Sequence, residues 1–417
     1  MTFLGKIKKT KDICTVIDIG NSKVSCLIGA REKNSEFQVK VLGFGQHVSL
    51  GITSGKITDM KQIANSIARA VEGAEAMAGF SINRVNCSVS GGRPITKFLR
   101  NSLEIEHEQI IKNDLIKIQK LNTPPKINNY KLLSSSVIKF YVDNYTPVDN
   151  PIGIHANKLL LDMTHTYAED SILKNISSAI NLCHLAVDNF IITPEASAIA
   201  SIIEDERRSG AIIIDLGGSL TSVGVFKNNN IVFSDTIPIG GIHITSDIVR
   251  GLGCKAEDAE KIKILHGSAL SNETDEYNNI EVPIISEDGN TRNHTIPKAM
   301  LTAIIKPRIE EIFDFVKTRI SFLSITKDIN KIILCGGGAN LNNVNGLASM
   351  LLKKNVRIGY PINIMNLPEV VKNPAFTCLV GLLVRSLQEE NILSTFNENS
   401  NFFNNFGRLG QWFDQNL

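Results

Sequence analysis

Two widely separated stretches of this chain repeat one design: an apolar strand ends in aspartate, a glycine and a short polar turn follow, and a second apolar strand leaves. The first is Val16-Ile17-Asp18-Ile19-Gly20-Asn21-Ser22-Lys23-Val24-Ser25-Cys26-Leu27-Ile28-Gly29. The second is Ile212-Ile213-Ile214-Asp215-Leu216-Gly217-Gly218-Ser219-Leu220-Thr221-Ser222-Val223-Gly224-Val225. Each predicts a β-hairpin whose turn leaves backbone N–H groups free beside a carboxylate. Glycine suits that turn because a Cβ would keep a phosphate away from the backbone. Aspartate suits a hydrated Mg²⁺, which keeps several waters and takes few protein ligands. One such hairpin is an ordinary turn in many folds. Two, with the same order of elements, argue for a pair that faces across a cleft and clamps a nucleoside triphosphate.

A third stretch, Ile332-Ile333-Leu334-Cys335-Gly336-Gly337-Gly338-Ala339-Asn340, runs a buried-type strand into three glycines and a helix-like segment. Backbone of that kind can lie against a base or phosphate, or can simply make a tight strand–helix turn. Asp258-Ala259-Glu260-Lys261-Ile262-Lys263 belongs to a helix with Glu260 and Lys263 on one face. That pair is either a surface salt bridge worth under ~1 kcal/mol or a group that hydrogen-bonds a ribose and stacks over adenine.

With 417 residues, 43% hydrophobic and 21% charged, the chain can bury a large core and should split into several domains. A net charge of +2 carries no footprint for nucleic acid. The seven cysteines are scattered with no CxxC pair, as reduced thiols of a cytosolic protein would be. The eight histidines fall at no metal-ligand spacing. No apolar run approaches the ~18 residues of a spanning helix. Lys6, Lys8, Lys9 and Lys11 precede only a short strand, which argues against a signal peptide.

Strands and helices alternate along most of the chain. A strand over Phe37 to Phe44 is followed by a helix over Asp59 to Gly79, with Ile63, Ile67, Ala70, Val71 and Ala74 at helical spacing. A strand over Val85 to Ser90 closes on Gly91-Gly92, after which charged and Asn-rich stretches with Pro124-Pro125 mark an inserted α+β subdomain to about Thr166. A strand over Leu159 to Tyr167 leads back, then a helix from Asp170 and a strand at Phe190 to Thr193. Pro194 opens a small-residue helix expected to run to Arg208. The second half carries a turn at Gly240-Gly241, a helix through Asp247, strands around Val282 and His294, and a long helix over Pro297 to Ser324. Gln388 to Asn401, rich in Asn, Ser and Glu, is expected to be a flexible linker. Two halves of similar design predict a duplicated α/β protein with a cleft between lobes.

The series as a whole resembles the actin-like ATPase superfamily and, within it, the FtsA family of bacterial cell-division proteins. Asp18 to Lys23 is similar to that family's first phosphate loop, and Asp215 to Ser219 to its second. Ser88 to Gly92 stands where the family enters its inserted subdomain. Pro238 to Gly241 with Thr245 to Ile248, Asp258 to Lys263 with His266-Gly267, Gly336 to Gly338, Val356 to Gly359, and Val380 to Leu382 match in order and kind. Ser219 and Leu220 stand where a third glycine and a threonine are usual, and His155-Ala156 replaces a small pair after Pro151-Ile152-Gly153.

The resemblance implies an actin-like, ribonuclease-H-like duplicated two-lobed fold. Residues 1–87 and 167–209 would form the first lobe and 88–166 its insert; 210–240 and 298–387 would form the base of the second lobe, 241–297 its upper subdomain, 388–401 a linker and 402–417 a C-terminal amphipathic helix. ATP and Mg²⁺ would be the ligands. Asp18 and Asp215 would hold Mg²⁺ through water; Gly20, Asn21, Ser22, Lys23, Gly217, Gly218 and Ser219 would hold phosphates; Glu260, Lys263 and Gly336, Gly337 and Gly338 would hold the nucleoside. With Leu220 in place of a hydroxyl the implied activity is at most a slow ATPase, and Glu195, opening its helix, is either the group that positions water or simply a carboxylate suited to a helix N-terminus. The implied role is to polymerise on the cytoplasmic face of the bacterial inner membrane at the division site, bind the C-terminal tail of FtsZ through about Gly241 to Pro297, and recruit later division proteins. A sugar-type kinase of the same superfamily is the alternative, although no catalytic carboxylate or substrate motif for it stands in the chain; a chaperone-like ATPase would need a further β-rich domain.

At the end of the chain, Phe402, Phe406, Leu409, Phe413 and Leu417 fall within an arc of roughly 80° on a helical projection, with Phe403 and Trp412 flanking it. An aromatic stripe on so short a segment, tethered by a polar linker, predicts an interfacial membrane anchor rather than the alternative, a helix docked on the protein's own core. One copy would bind weakly and several, joined in a polymer, firmly.

Overall fold

The computed structural model describes residues 13–32, 39–143, 146–228, 230–285, 291–362 and 364–395. The predicted stripe at residues 402–417 therefore lies outside the described residues.

The chain opens with a meander of β1 (Ile13–Ile19), β2 (Lys23–Arg31) and β3 (Val39–Val48), followed by a small hairpin of β4 (Ile52–Thr53) and β5 (Lys56–Ile57). Helix α1 (Met60–Ala78) starts where the Asp59 carboxylate accepts from Lys61 and Gln62 N–H, and stops at Gly79, which takes the left-handed conformation at φ 82°. Its predicted apolar positions are all buried. Strand β6 (Arg84–Val89) leads into β7 (Ile95–Glu104), α2 (Lys112–Leu121), β8 (Tyr130–Val142), β9 (Thr146–Val148) and β10 (Lys158–Glu169). After these come α3 (Asp170–Asn181), β11 (Ala186–Ile192), α4 (Thr193–Ser201) and α5 (Glu204–Ser209). The second half runs β12 (Ala211–Leu216), β13 (Thr221–Lys227), β14 (Asn230–Ile237), α6 (Gly241–Leu252), α7 (Ala256–His266), β15 (Asn279–Ile285), β16 (Thr291–Pro297), α8 (Lys298–Ser321), β17 (Lys331–Cys335), α9 (Val344–Leu352), β18 (Asn355–Ile358) and α10 (Thr377–Thr395).

Two five-stranded sheets carry the duplication. Their orders are β11-β6-β1-β2-β3 and β14-β13-β12-β17-β18, the same arrangement read from opposite edges. In each, an antiparallel meander is joined by two parallel strands, with β1 beside β6 and β12 beside β17. Alternation along the strands serves two faces. Ile17 and Cys26 pack under α1 and α3, whereas Val16 and Leu27 pack against α4 and α10. A third sheet, β7-β10-β8-β9, is the insert, with α2 covering one face. Strand β10, expected to lead back to the main body, is central to this sheet and pairs with both β7 and β8.

The small residues of α4 have a clear reason. Ala196 and Ala200 pack with the first sheet and α10, and Ala198 and Ile202 with the second sheet, so α4 is enclosed between the lobes. Its contact with α10 is so close that a methyl on Gly381 would stand 1.8 Å from the Ala196 carbonyl oxygen.

Two sequence expectations need correction here. The helix from Pro194 does not run to Arg208: Ile202 and Ile203 are extended, and the freed carbonyls of Ile199 and Ile202 accept from the Arg207 guanidinium. Glu206 caps the new start by accepting from Ile203 N–H. Helix α10 reaches Thr395, through the first part of the stretch expected to be linker, where Gln388, Glu389, Glu390 and Leu393 are good helix formers. Among the described residues no helix is long and apolar enough to cross a membrane.

Candidate nucleotide cleft

Both aspartates end a central strand, and the duplicated sheets bring them together. Asp18 closes β1 and accepts from the Ser88 hydroxyl of β6 at 2.5 Å, with the Cys378 thiol of α10 3.9 Å from the same oxygen. Asp215 closes β12 and accepts from Ser197 of α4 at 2.7 Å. Lys23, first residue of β2, acts on both carboxylates and lays its ammonium 3.1 Å from the centre of the Phe376 ring.

The electrostatics are those of a site short of positive charge. Burial pushes the Asp215 carboxyl up to about 7; the Ser197 hydroxyl pulls the other way, the Asp18 charge adds repulsion and Lys23 offsets part of it. Burial raises Asp18 as well, against Ser88, Lys23 and Cys378. Burial lowers Lys23 to about 8 despite both aspartates. The Ser219 hydroxyl is buried without a hydrogen-bond partner. Two carboxylates, one weakened ammonium and an orphaned hydroxyl fit a hydrated divalent cation carried by a polyphosphate.

The glycines separate into those set by packing and those that leave room. At Gly336, φ is 82° and a methyl would stand 2.6 Å from an Asp215 carboxylate oxygen; at Gly338 it would stand 2.8 Å from Leu216 Cβ. The α-carbon of Gly337 faces open space, with its nearest neighbour 4.0 Å from such a methyl. The two hairpin turns touch: a methyl on Gly218 would lie 2.3 Å from the Ser22 hydroxyl oxygen. The Asn21 amide spans to the β4–β5 hairpin, donating to Ile52 O at 3.3 Å and accepting from Gly55 N–H at 3.0 Å.

The second turn also supports α6. Its Gly217 and Gly218 carbonyls accept from Gly241 and Ile242 N–H at 3.0 and 2.7 Å, which satisfies the open helix start. Lys263 donates to Gly241 O, to the Thr245 hydroxyl and to Glu260, so the Glu260–Lys263 pair braces α7 against this junction. It is more than a solvated surface pair, since Lys263 is mostly buried and Glu260 half exposed.

Glu195 is not brought to the cluster. Two residues along a helix are about 200° apart, so with Ser197 facing Asp215 the Glu195 carboxylate faces the other way. It pairs with Arg385 of α10 at 3.8 Å, and both line a small cavity with Ser134, Thr166 and Asn189. The residues that sequence reasoning missed are Ser88 and Ser197. Ser88 lies in the Ser88-Val89-Ser90-Gly91-Gly92 stretch already singled out, but nothing local shows that its hydroxyl meets Asp18.

Residues 212–381 match the family model described as cell division protein FtsA. The chain is similar to cell division protein FtsA of Rhizobium meliloti (strain 1021), 33% identical over 98% of this chain and 96% of that one. Among solved structures it is similar to a PilM–PilN type IV pilus biogenesis complex, 14% identical with a TM-score of 0.62 over 90% of this chain and 98% of that one. It is similar too to MreB5 of Spiroplasma citri bound to ADP, 14% identical with a TM-score of 0.55 over 93% and 99%. The fold is that of the actin-like ATPases.

Proposed function

The chain belongs to the FtsA family of cell-division proteins, and from that premise we propose that it binds ATP with Mg²⁺ in the cleft, polymerises, and ties the FtsZ ring to the cytoplasmic face of the bacterial inner membrane. The observation that carries the nucleotide part is the Asp18–Lys23–Asp215 cluster, Asp215 buried and the other two partly so, set between two glycine turns. Asp18 and Asp215 would take Mg²⁺ through water, which supplies the charge they lack. Gly20, Ser22, Lys23, Gly217, Gly218 and Ser219 would hold phosphates. Glu260, Lys263 and the open face of Gly337 would border the nucleoside. Asn21 would act through the β4–β5 hairpin that it holds. Because the turns touch, binding has to part them, so nucleotide would serve as a conformational ligand that biases the lobes. Glu195 has no place in this scheme: it is paired with Arg385.

The FtsZ tail would meet the upper second-lobe subdomain, about 241–297, where Tyr277 is 83% exposed and Ile264 and Leu265 are each 69% exposed. The insert, 88–166, would serve self-assembly and recruitment of later division proteins. The tail at 402–417 would lie on lipid.

The test is Mg·ATP titration of the whole chain and its Asp215→Ala variant. We expect affinity to fall at least about tenfold, ~1.4 kcal/mol, and turnover to be slow. Unchanged affinity would overturn the cleft assignment, and turnover on the order of 10 per second would favour a kinase.

A further inference from the structure

We propose that Leu220, from the second turn, and the Ser54–Gly55 tip of the β4–β5 hairpin form an apolar clasp that holds the cleft shut and sets how fast a nucleotide leaves. The proposal rests on the nucleotide reading of the cleft.

The two partners come from opposite lobes and are each fixed from behind. Leu220 is 8% exposed and precedes Thr221, whose hydroxyl donates to Ile239 O at 2.8 Å and pins the start of β13. Across the cleft, Ser54 and Gly55 take φ of 49° and 72°, the paired left-handed conformation of a tight hairpin turn. The Leu220 side chain fills the space over Gly55: a methyl there would stand 2.7 Å from Leu220 Cδ1. Gly55 N–H is held by Asn21 of the first turn at 3.0 Å. On the remaining side Gly91 packs on it, since a methyl on Gly91 would stand 2.9 Å from the Gly55 carbonyl oxygen. Gly55 is thus the point where both turns and the start of the insert meet.

The neighbouring contacts across the cleft are polar: Ser22 lies against Gly218, and the Thr236 hydroxyl donates to Ser90 O at 3.2 Å beside Gly91. Parting Leu220 from Gly55 returns an isobutyl group to water, which is unfavourable. Leu220 is therefore the apolar part of this contact, the part that opening would return to water. Substitution there should change release while leaving Asp18, Lys23 and Asp215 in place.

The experiment uses the full chain with Mg²⁺ and N-methylanthraniloyl-ATP, chased with unlabelled ATP in stopped flow, alongside hydrogen–deuterium exchange of residues 52–57 in the ligand-free protein. Leu220→Ala should release the label about tenfold faster and exchange the hairpin amides faster. Leu220→Thr, shorter and polar, should do the same, which keeps the test open should the alanine variant fail to fold. Leu220→Met, close in volume, should behave as wild type. Unchanged exchange in the alanine and threonine variants overturns the clasp. Faster exchange with unchanged release overturns its role as a gate. Failure of the wild-type chain to bind the label overturns the nucleotide reading and the gate with it, while the exchange arm still decides whether the clasp exists.

Discussion

Replacing Asp215 by asparagine should stabilise the ligand-free protein near neutral pH while removing its affinity for Mg·ATP. In the folded protein burial pushes this carboxyl up to about 7, against 3.8 for an ordinary aspartate. Between those values the folded protein holds a proton that the unfolded chain has released. The associated stability is fully present below about pH 4, declines as pH rises towards 7 and is gone above it. At ~1.4 kcal/mol for each pH unit between the two values, the ceiling is about 4 kcal/mol. Asparagine carries no charge to desolvate, and Ser197 can still donate to its carbonyl oxygen, but its buried amide hydrogens need an acceptor at a cost of ~1–3 kcal/mol. A net gain of ~1–3 kcal/mol at pH 7.5 follows, shrinking to nothing or reversing at pH 5. Lys23 contributes a slope of opposite sign, and asparagine at 215 takes away one of the two charges that hold its ammonium up. In the wild type, lowered to about 8 from 10.5, it makes stability rise with pH above 8, and in the asparagine variant that rise begins at lower pH. Asp18, also raised, leaves a residual slope of the same sign in both proteins. Urea unfolding from pH 5 to 7.5, without nucleotide or divalent cation, reads the effect directly. Parallel stability curves for the two proteins would refute the strained carboxylate, and an asparagine variant that kept Mg·ATP affinity would refute its part in holding the ion.

Gly381→Ala should destabilise the protein by about 3 kcal/mol, because its methyl meets the Ala196 backbone of α4 rather than a side chain that can turn aside; a melting temperature within a degree of wild type would count against the α4–α10 contact. Truncation after Asn399, or Trp412→Glu, should release the protein from anionic vesicles and leave ATP binding intact; equal sedimentation of truncated and full-length chains would refute the anchor.

The features legible in the chain were those with local causes. Both Asp–Gly hairpins, the limits of α1 at Asp59 and Gly79, and the strand into Gly336 follow from turn chemistry, caps and apolar period, which act over a few residues. The duplicated order of elements followed from the same signals, because repeated local patterns fold into repeated topology. Packing between remote elements decided the rest. It chose Ser88 and Ser197 as partners of the two carboxylates, from 70 and 18 residues away in the chain. It turned Glu195 to Arg385, broke the small-residue helix at Ile202, and made Lys263 a brace for the second turn. It also set Leu220 over Gly55. Hydrogen-bond partners and burial depend on which surfaces meet, and that becomes defined only when the two sheets close on α4 and α10.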